Sequence, residues 1–410
     1  MDKRVLLIGF LLAGTLVYSN NDDWPQYRGP NRDGISAAKG LAASWPAEGP
    51  KELWRVPIGI GFSSISVVDG QLFTMYTEEG IERLGCFDAA TGKKKWSQEI
   101  GRNFEDSFGD GPRSGPTVDG SVVYALGSYG DLIAVNVKDG TLAWRVSFEE
   151  RYQGKAGRWG YSASPLVDGN RLLVEAGGGE GKGVAALNKQ SGETLWTVYN
   201  GHMGYSSPIV AEIHGVRQYI FLATNPAAQE GAPPTQTAIG ISTQGTVLWR
   251  HDVPGFIVAM PVFVGPDKVF VSASNDDGAR LLQIEKGADG FSAKELWQSR
   301  FMKNHFNSSI VVDGHVYGFS NATLTCMDLE SGERKWVKRG LGKGSLIQFQ
   351  DRMLALSDKG KLTMFALSPE GYQEVAAVQP LKGKSWTMPT IAAGKLYLRN
   401  QTEMLCMDLK

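Results

Sequence analysis

The sequence predicts an all-β fold, an eight-bladed β-propeller, and three observations support this prediction. A tryptophan recurs at intervals of 39 to 53 residues. A polar turn ending in glycine precedes several of these tryptophans, and the residues between two of them divide into four short apolar segments. Such a repeat indicates a supersecondary unit that buries its apolar face only by stacking on its neighbours. The recurring tryptophans are Trp54, Trp96, Trp144, Trp196, Trp249, Trp297 and Trp336.

The turn before the tryptophan has a regular chemistry. It begins with Asp or Asn and ends with Gly, and the tryptophan lies eight residues after the Asp or Asn. An Asx side chain hydrogen-bonds the backbone ahead of it and glycine takes a positive φ, so the pattern predicts a hairpin turn. These turns occupy residues 88–92, 136–140, 188–192 and 328–332.

One complete repeat covers residues 114–144, with predicted strands at 114–118, 121–126, 131–135 and 141–144. Four short antiparallel strands in about 45 residues are typical of a propeller blade. The same template fits eight times. Its first strands are predicted to begin near Ser63, Ser114, Ser162, Ser206, Ala259, Asn307, Ser345 and Thr387.

The two ends of the repeat region complete one blade between them. The eighth repeat stops after its third strand, whereas residues 51–57 carry the fourth-strand tryptophan, Trp54, before the first blade begins. Pairing these segments removes the open edge that an incomplete sheet would expose. The sequence therefore predicts a ring of eight blades in which an N-terminal strand completes the last one.

Composition excludes some partners. Lys and Arg number 42 and Asp and Glu 43, so there is no excess of basic residues for nucleic acid. We expect no nucleic-acid partner and a monomer. Cys86, Cys326 and Cys406 take the same place in three repeats, two residues before the turn Asx. Equivalent sites on different blades lie too far apart to bridge, so we expect three buried thiols and no disulfide.

The N-terminus resembles a secretory signal over residues 1–19. Lys3 and Arg4 precede an apolar run, residues 5–17, that is short for a membrane span. The alternative is a retained single-helix anchor, and no cysteine follows the run to carry a lipid. We expect a periplasmic or secreted protein without an integral membrane span in the mature chain. Residues 20–50 would form an N-terminal extension packed on the propeller of residues 51–410.

Candidate ligand-binding residues converge where the inter-blade loops meet the first strands, at the mouth of the channel. Aromatic rings and cations there would suit a flat or sugar-like ligand or an anion. The alternative is that hydroxyl groups near the crowded axis serve only packing and backbone hydrogen bonds. The candidates are Arg113, Arg158, Trp159, Tyr161, His202, Tyr205, His305, Asn307 and Trp386.

Signs of catalysis or of a metal site are few. The sequence contains no nucleophile elbow, phosphate loop or pair of histidines at metal-binding spacing. Residues 275–278, Asn-Asp-Asp-Gly, are acidic enough to contact a cation, but Asp-Gly turns are frequent in this chain. We expect no catalytic residues, no metal and no cofactor, and the sequence favours a protein that is not an enzyme.

The repeat resembles the pyrroloquinoline-quinone (PQQ) repeat over residues 51–410. Residues 24–30, Trp-Pro-Gln-Tyr-Arg-Gly-Pro, and Gly34 are similar to the start of a group of exported PQQ-like proteins. The resemblance extends to quinoprotein alcohol dehydrogenases, which use PQQ, calcium, adjacent cysteines and a catalytic Asp. This chain has no adjacent cysteines and no set of carboxylates that aligns with the calcium ligands. The resemblance also extends to the propeller lipoprotein of the outer-membrane β-barrel assembly machine, which binds a protein partner.

Three functional hypotheses follow from the residues and the resemblance. The first is a non-catalytic exported scaffold that binds a protein partner in the cell envelope. The second is a PQQ-dependent or other oxidoreductase with its site at the channel mouth. The third is binding of a small molecule or glycan at the same mouth.

Overall fold

The computed structural model describes residues 22–225, 235–274 and 278–410. It contains eight antiparallel sheets of four strands each, and one of them gains a fifth, parallel strand from the N-terminal extension. The predicted eight-bladed all-β propeller is confirmed. The predicted signal peptide (residues 1–19) lies outside the described residues, as do residues 275–277 of the acidic turn.

The first strands in the chain are β1 (Ile35–Ser36) and β2 (Glu52–Pro57). Blades 1 to 4 follow, each a four-stranded meander. Their strands are β3 (Ser66–Val68), β4 (Gln71–Glu78), β5 (Ile81–Asp88) and β6 (Lys94–Arg102); β7 (Thr117–Asp119), β8 (Val122–Leu126), β9 (Asp131–Asn136) and β10 (Leu142–Ser147), followed by helix α1 (Phe148–Tyr152); β11 (Leu166–Asp168), β12 (Arg171–Glu175), β13 (Val184–Asn188) and β14 (Thr194–Val198); and β15 (Ile209–Ile213), β16 (Val216–Thr224), β17 (Gln236–Ser242) and β18 (Val247–Val253).

Blades 5 to 8 repeat the meander, except that blade 8 takes its fourth strand from the N-terminal part of the chain. Their strands are β19 (Val262–Val264), β20 (Lys268–Ser272), β21 (Ala279–Gly287) and β22 (Gly290–Ser299); β23 (Ile310–Val312), β24 (His315–Ser320), β25 (Thr323–Asp328) and β26 (Arg334–Lys338); β27 (Gly344–Phe349), β28 (Arg352–Ser357), β29 (Leu362–Ala366) and β30 (Glu374–Val378); and β31 (Thr390–Ala392), β32 (Lys395–Arg399) and β33 (Glu403–Asp408).

The recurring tryptophan joins most blades to the next one by a hydrogen bond. Trp144 on β10 lies opposite the small residue Ala134 on β9, at a β-bulge. Its indole N–H donates to the Lys189 carbonyl oxygen of blade 3 at 3.1 Å. A Cβ at Gly192, in the Asx-Gly turn of blade 3, would lie 2.8 Å from the same indole ring. The glycine is therefore required both by its φ of +72° and by the ring packed against it.

The same contact recurs around the ring. Five further tryptophans donate to a carbonyl of the following blade, and Trp249 instead donates to the Gln218 side chain of its own blade at 2.7 Å. The buried cysteines occupy the position of Ala134, because a small side chain leaves room for the tryptophan opposite. The five pairs are Trp54 to Ala89, Trp96 to Val137, Trp196 to Thr243, Trp297 to Leu329, and Trp336 to Ser368.

Closure of the ring follows the predicted pairing. Strand β2 pairs antiparallel with β33, which places Trp54 opposite Cys406. Arg399, on β32, is fully buried and donates to the backbone of blade 1 at Met75 and of the preceding loop at Gly61. Burial lowers the pKa of this guanidinium to about 9. The seam between the last blade and the first is thus held by a strand, an indole and a buried guanidinium.

The first strands of seven blades begin about three residues later than the sequence predicts, at Thr117 rather than Ser114 in blade 2, for example. The residues in between leave the sheet and form the wall of the channel mouth. Blade 7 differs, because its first strand starts at Gly344 and pairs along its free edge with β1.

The N-terminal extension crosses the channel and bonds to the inner ends of several blades. The Trp24 backbone pairs with Val67 of blade 1, and the Pro25 carbonyl oxygen accepts from the Val118 N–H of blade 2 at 2.8 Å. These contacts lie on the first strands, and Asp22 and Asp23 reach the turns that follow them. The extension therefore closes the channel from the side of the first hairpin turns.

Two buried arginines of the extension reach opposite sides of the ring. The Arg28 guanidinium donates to the Ser309 carbonyl oxygen of blade 6 at 2.7 Å. The Arg32 guanidinium donates to the carbonyl oxygens of Ser164 in blade 3 and Pro208 in blade 4, the latter at 2.7 Å. Burial lowers the pKa of both groups, that of Arg32 to about 9. Backbone carbonyls, which carry no charge, thus hold two cations inside the channel.

Candidate functional site

A cavity of about 320 Å³ lies at the other end of the channel, where the inter-blade loops run into the first strands. Tyr27 of the extension bounds it from the channel side. Its wall is formed by residues from the loops that precede the first strands of all eight blades, and the side chains divide into an aromatic group, a polar group and a basic group. The aromatic lining residues are Tyr27, Phe62, Phe108, Trp159, Tyr205, Phe256, Phe306 and Trp386.

The aromatic side chains form two clusters on opposite walls. On one wall Trp386 stacks on Phe306, with ring centroids 4.9 Å apart and planes inclined by 18°, and on Phe62 at 5.4 Å. On the other wall Trp159 contacts Tyr205 at 5.2 Å, and Phe256 packs against both rings. The surface of the cavity is therefore largely made of ring faces and edges.

Phe108 joins the two aromatic clusters at the rim. Its ring centroid lies 6.4 Å from that of Trp159 and 6.4 Å from that of Trp386, and the residue is 46% exposed. The loop that carries it is held by Arg113, whose guanidinium donates to the carbonyl oxygens of Gly109 and Gly111 at 2.8 and 2.7 Å. Phe108 therefore partly covers the cavity from an anchored loop.

Arg113 is consequently occupied by its own loop. Besides the two carbonyls, it lies 3.8 Å from an Asp106 carboxylate oxygen and 4.8 Å above the Phe104 ring. Burial lowers the pKa of this guanidinium, and the nearby carboxylate of Asp106 opposes that shift. The predicted anion-binding arginine thus acts in this structure as a support of the Phe108 loop.

Most hydroxyl groups near the cavity link neighbouring blades. The Ser164 Oγ accepts from the Gly115 N–H, and the Ser207 Oγ accepts from the Ser164 N–H, each at 2.8 Å. Asn307 likewise donates to the Gly344 carbonyl oxygen at 2.6 Å. Ser64 differs: its Oγ is buried beside the cavity and makes no hydrogen bond with any described residue. The packing interpretation therefore accounts for these side chains except Ser64.

The polar part of the wall is basic or neutral. His305 and Lys343 line it, and no Asp or Glu does so within the described ranges. The Nδ1 atom of His305 is buried without a hydrogen-bond partner among those residues. Burial and the nearby Lys343 ammonium lower the pKa of this imidazole, which keeps it neutral at pH 7.

Six of the nine residues proposed from the sequence line the cavity, and three do not. The Tyr161 hydroxyl is buried and donates to the Ala176 carbonyl oxygen at 2.9 Å. His202 is exposed and pairs through its backbone with Thr224. Arg158 stacks on Trp159, with its guanidinium 5.3 Å from the ring centroid, on the outside of the wall.

Other residues of the wall lie outside the nine candidates. Phe62, Phe256 and Phe306 occupy the positions just before three first strands, where the repeat register places the inner end of an inter-blade loop. That register was a usable signal for them. Tyr27 had no such signal, because it comes from the extension rather than from a repeat.

The dehydrogenase chemistry that the repeat implies does not fit these residues. A PQQ site of that type needs calcium and a carboxylate base beside the quinone. The lining residues offer neither Asp nor Glu, and no cluster of three His, Cys, Asp or Glu side chains suited to a metal occurs in the described part of the chain. We therefore derive no reaction step through PQQ.

The ring of PQQ-like blades, closed by an N-terminal strand, defines the class of protein. A family model described as outer membrane protein assembly factor BamB matches residues 80–338 and 235–396. The chain belongs to this family. Outer membrane protein assembly factor BamB of Yersinia pestis is 24% identical over 336 residues, which are 77% of this chain and 81% of that protein. A second relative is quinoprotein alcohol dehydrogenase PedH of Pseudomonas putida, 29% identical over 32% of this chain and 22% of its own length.

Solved structures share the fold at low sequence identity. BamB from Moraxella catarrhalis superposes with a TM-score of 0.59 at 15% identity, covering 87% of this chain and 97% of its own. A europium-containing methanol dehydrogenase superposes with a TM-score of 0.64 at 10% identity, covering 95% and 98%. An outer membrane protein assembly factor and a methanol dehydrogenase thus have the same architecture, so the function must be argued from the site.

Among the described residues, no helix is both long and apolar enough to cross a membrane.

Proposed function

We propose that this protein is a non-catalytic scaffold outside the cytoplasm, which binds a protein partner in the cell envelope and contributes to outer-membrane protein assembly. The observation that carries the proposal is the family match across residues 80–396. Relatives that align with most of this chain are outer membrane protein assembly factors by name. The described residues of the cavity wall include no Asp or Glu, so the wall lacks the carboxylate base that quinoprotein dehydrogenase chemistry requires.

The partner surface would be the mouth patch, which consists of Ile60 and Phe108. Both side chains are exposed, at 40% and 46%, on the face where the cavity opens. Their loops are adjacent, because a Cβ at Gly111 would lie 2.6 Å from the Ile60 carbonyl oxygen. Covering large exposed apolar side chains with a partner is energetically favourable. The loop that carries Phe108 is already held in place by the hydrogen bonds from Arg113.

The location outside the cytoplasm rests on the signal-like residues 1–19 and on the family. Fractionation of cells expressing the full chain, with sequencing of the mature N-terminus, tests it. A periplasmic protein starting near Asn20 supports the proposal, and an uncleaved chain in the cytoplasm contradicts it.

Site-specific cross-linking in the native organism tests the partner surface. A photoreactive amino acid at position 108 should give a discrete adduct with an envelope protein. The matched control is position 195, because Leu195 is 43% exposed on the outer strand β14, away from the mouth. Deletion of the gene should lower the amounts of outer-membrane β-barrel proteins. Unchanged barrel levels together with equal adducts from both positions would overturn the proposal, as would alcohol oxidation by the purified protein with PQQ and calcium.

A further inference from the structure

The cavity offers an aromatic ring a choice of stacking surfaces. The clusters around Trp159 and Trp386 stand on opposite walls, and both tryptophans are only partly buried. Aromatic pairs prefer offset or edge-to-face contacts at centroid separations of about 4.5 to 7 Å. A ring entering between the clusters would contact both walls and the edge of Phe108. At about 320 Å³ the cavity is at the small end of ligand sites.

The charge of the wall selects against a cation and in favour of an anion. Lys343 lines the cavity, and no ion pair found among the described residues includes it. The other cation of the wall, the Arg113 guanidinium, is already bonded to its loop. Lys343 is therefore the cation available to a ligand.

Two buried polar atoms beside the cavity lack hydrogen-bond partners in the part of the chain described. One is the Oγ of Ser64, a residue that is only 6% exposed, and the other is the Nδ1 of His305. Buried polar atoms normally have partners, so these two unpaired atoms, on residues that line the cavity, are places where a ligand atom would complete the hydrogen bonding. The hydroxyl and the imidazole can each donate one hydrogen bond to a carboxylate oxygen.

We propose that the cavity binds an aromatic ring bearing one carboxylate, either as a free acid or as the last residue of a polypeptide. The ring lies between the Trp159 and Trp386 clusters. The carboxylate pairs with the Lys343 ammonium and accepts hydrogen bonds from His305 or Ser64. This inference goes beyond the scaffold role, because it requires neither a protein partner nor a chemical reaction.

Calorimetric titration of the purified full-length mature protein tests the two halves of the ligand separately. The probe is indole-3-acetate. Indole-3-acetamide keeps the ring without the charge, and cyclohexylacetate keeps the charge without the aromatic ring. We expect indole-3-acetate to bind, and each of the other two to bind at least tenfold more weakly. Equal affinity for the acetate and the amide, or no binding of indole-3-acetate at millimolar concentration, overturns the proposal.

A pair of lysine variants assigns the charge contact. Lys343→Gln should weaken indole-3-acetate binding about tenfold and leave indole-3-acetamide binding unchanged. Lys382→Gln is the matched control, because Lys382 is exposed on a nearby loop outside the cavity wall. Thermal melting checks that both variants fold. If one of them does not fold, the titrations of the unaltered protein with the three small ligands still test the proposal. An equal effect of both variants would contradict the assignment.

Peptide probes distinguish the two sources of the ligand. Acetyl-Ala-Ala-Trp with a free C-terminal carboxylate is compared with the same peptide ending in an amide. Binding of the free-carboxylate peptide at least as tight as that of indole-3-acetate, and lost in the amide, assigns a polypeptide end. Binding of indole-3-acetate alone assigns a free acid. All of these measurements use the isolated protein, so their failure would leave the proposed scaffold role untouched.

Discussion

Replacing Glu175 with glutamine should stabilise the protein at pH 8 and have almost no effect near pH 4. Glu175 is the last residue of β12 and is 2% exposed. Its Oε2 accepts from the Gly204 N–H at 3.1 Å, and its Oε1 has no partner among the described residues. Burial raises the pKa of this carboxyl from 4.5 to about 8.

The sign of the effect follows from proton binding. Between about pH 4.5 and pH 8 the folded protein keeps the Glu175 proton, whereas the unfolded chain has released it. Stability therefore falls as the pH rises through this window, and the contribution of the protonated carboxyl is fully present only below the unfolded pKa. One pKa unit corresponds to about 1.4 kcal/mol, so the shift sets an upper limit of about 5 kcal/mol at pH 8.

Glutamine keeps the hydrogen bond to Gly204 and cannot titrate. A neighbouring blade shows that an amide is tolerated in a similar setting, because the buried Gln236 side chain accepts from the Ile257 N–H and donates to the same residue's carbonyl oxygen at 3.2 Å. Structural relaxation reduces the effect. We therefore expect the unfolding free energy of Glu175→Gln, relative to that of the unaltered protein, to be higher at pH 8 than at pH 4 by at least about 1 kcal/mol.

Urea unfolding followed by tryptophan fluorescence at pH 4, 6 and 8 measures this difference. Glu370→Gln is the matched control, because Glu370 is exposed. The reasoning is refuted if the difference in unfolding free energy between Glu175→Gln and the unaltered protein does not change with pH.

Three further predictions concern the ring. Removal of residues 22–58 should abolish cooperative unfolding, because it opens the blade formed by β2 and β31 to β33; an unchanged melting temperature would contradict this. Trp144→Ala should lower the unfolding free energy by about 2 to 4 kcal/mol through lost packing and the lost bond to Lys189, whereas the exposed Leu142→Ala should cost under about 1 kcal/mol. Burial raises the pKa of Cys86 and Cys406 to about 12 and of Cys326 to about 11, so a thiol reagent at pH 8 should label no cysteine in the native protein and three after denaturation. A disulfide, or rapid native labelling, would refute the last prediction.

The strand content and blade count could be predicted from the sequence because they depend on local chemistry that repeats. The Asx-Gly turn before Trp144 needs a positive φ at Gly140, and the tryptophan needs a small residue opposite. Each of these requirements is met by the same type of residue at the same position in successive repeats, so it is visible in the sequence. The unpaired fourth-strand signature of Trp54 is of the same kind, and it predicted ring closure correctly.

The candidate site could be predicted only in part. The repeat register placed Trp159, Tyr205 and Trp386 near the channel mouth, but it also selected Tyr161 and His202. The direction of the side chain decides which residues line the cavity. Tyr161 turns into the core, where its hydroxyl reaches the Ala176 carbonyl oxygen. A spacing pattern carries no information about which way an irregular loop turns.

What the sequence by itself determined is therefore the ring, its number of blades and the strand that closes it, because the blades are stabilised by contacts with their neighbours that recur in most repeats. Tertiary structure alone decided the rest. Arg28 and Arg32 bond to carbonyls more than a hundred residues away, Tyr27 bounds the cavity, and Arg113 turns back to its own loop. Tyr27, Arg28 and Arg32 lie outside the repeats, and their partners become neighbours only when the ring is closed. The turn of Arg113 back to its own loop depends on the path of an irregular loop, which no repeat spacing specifies.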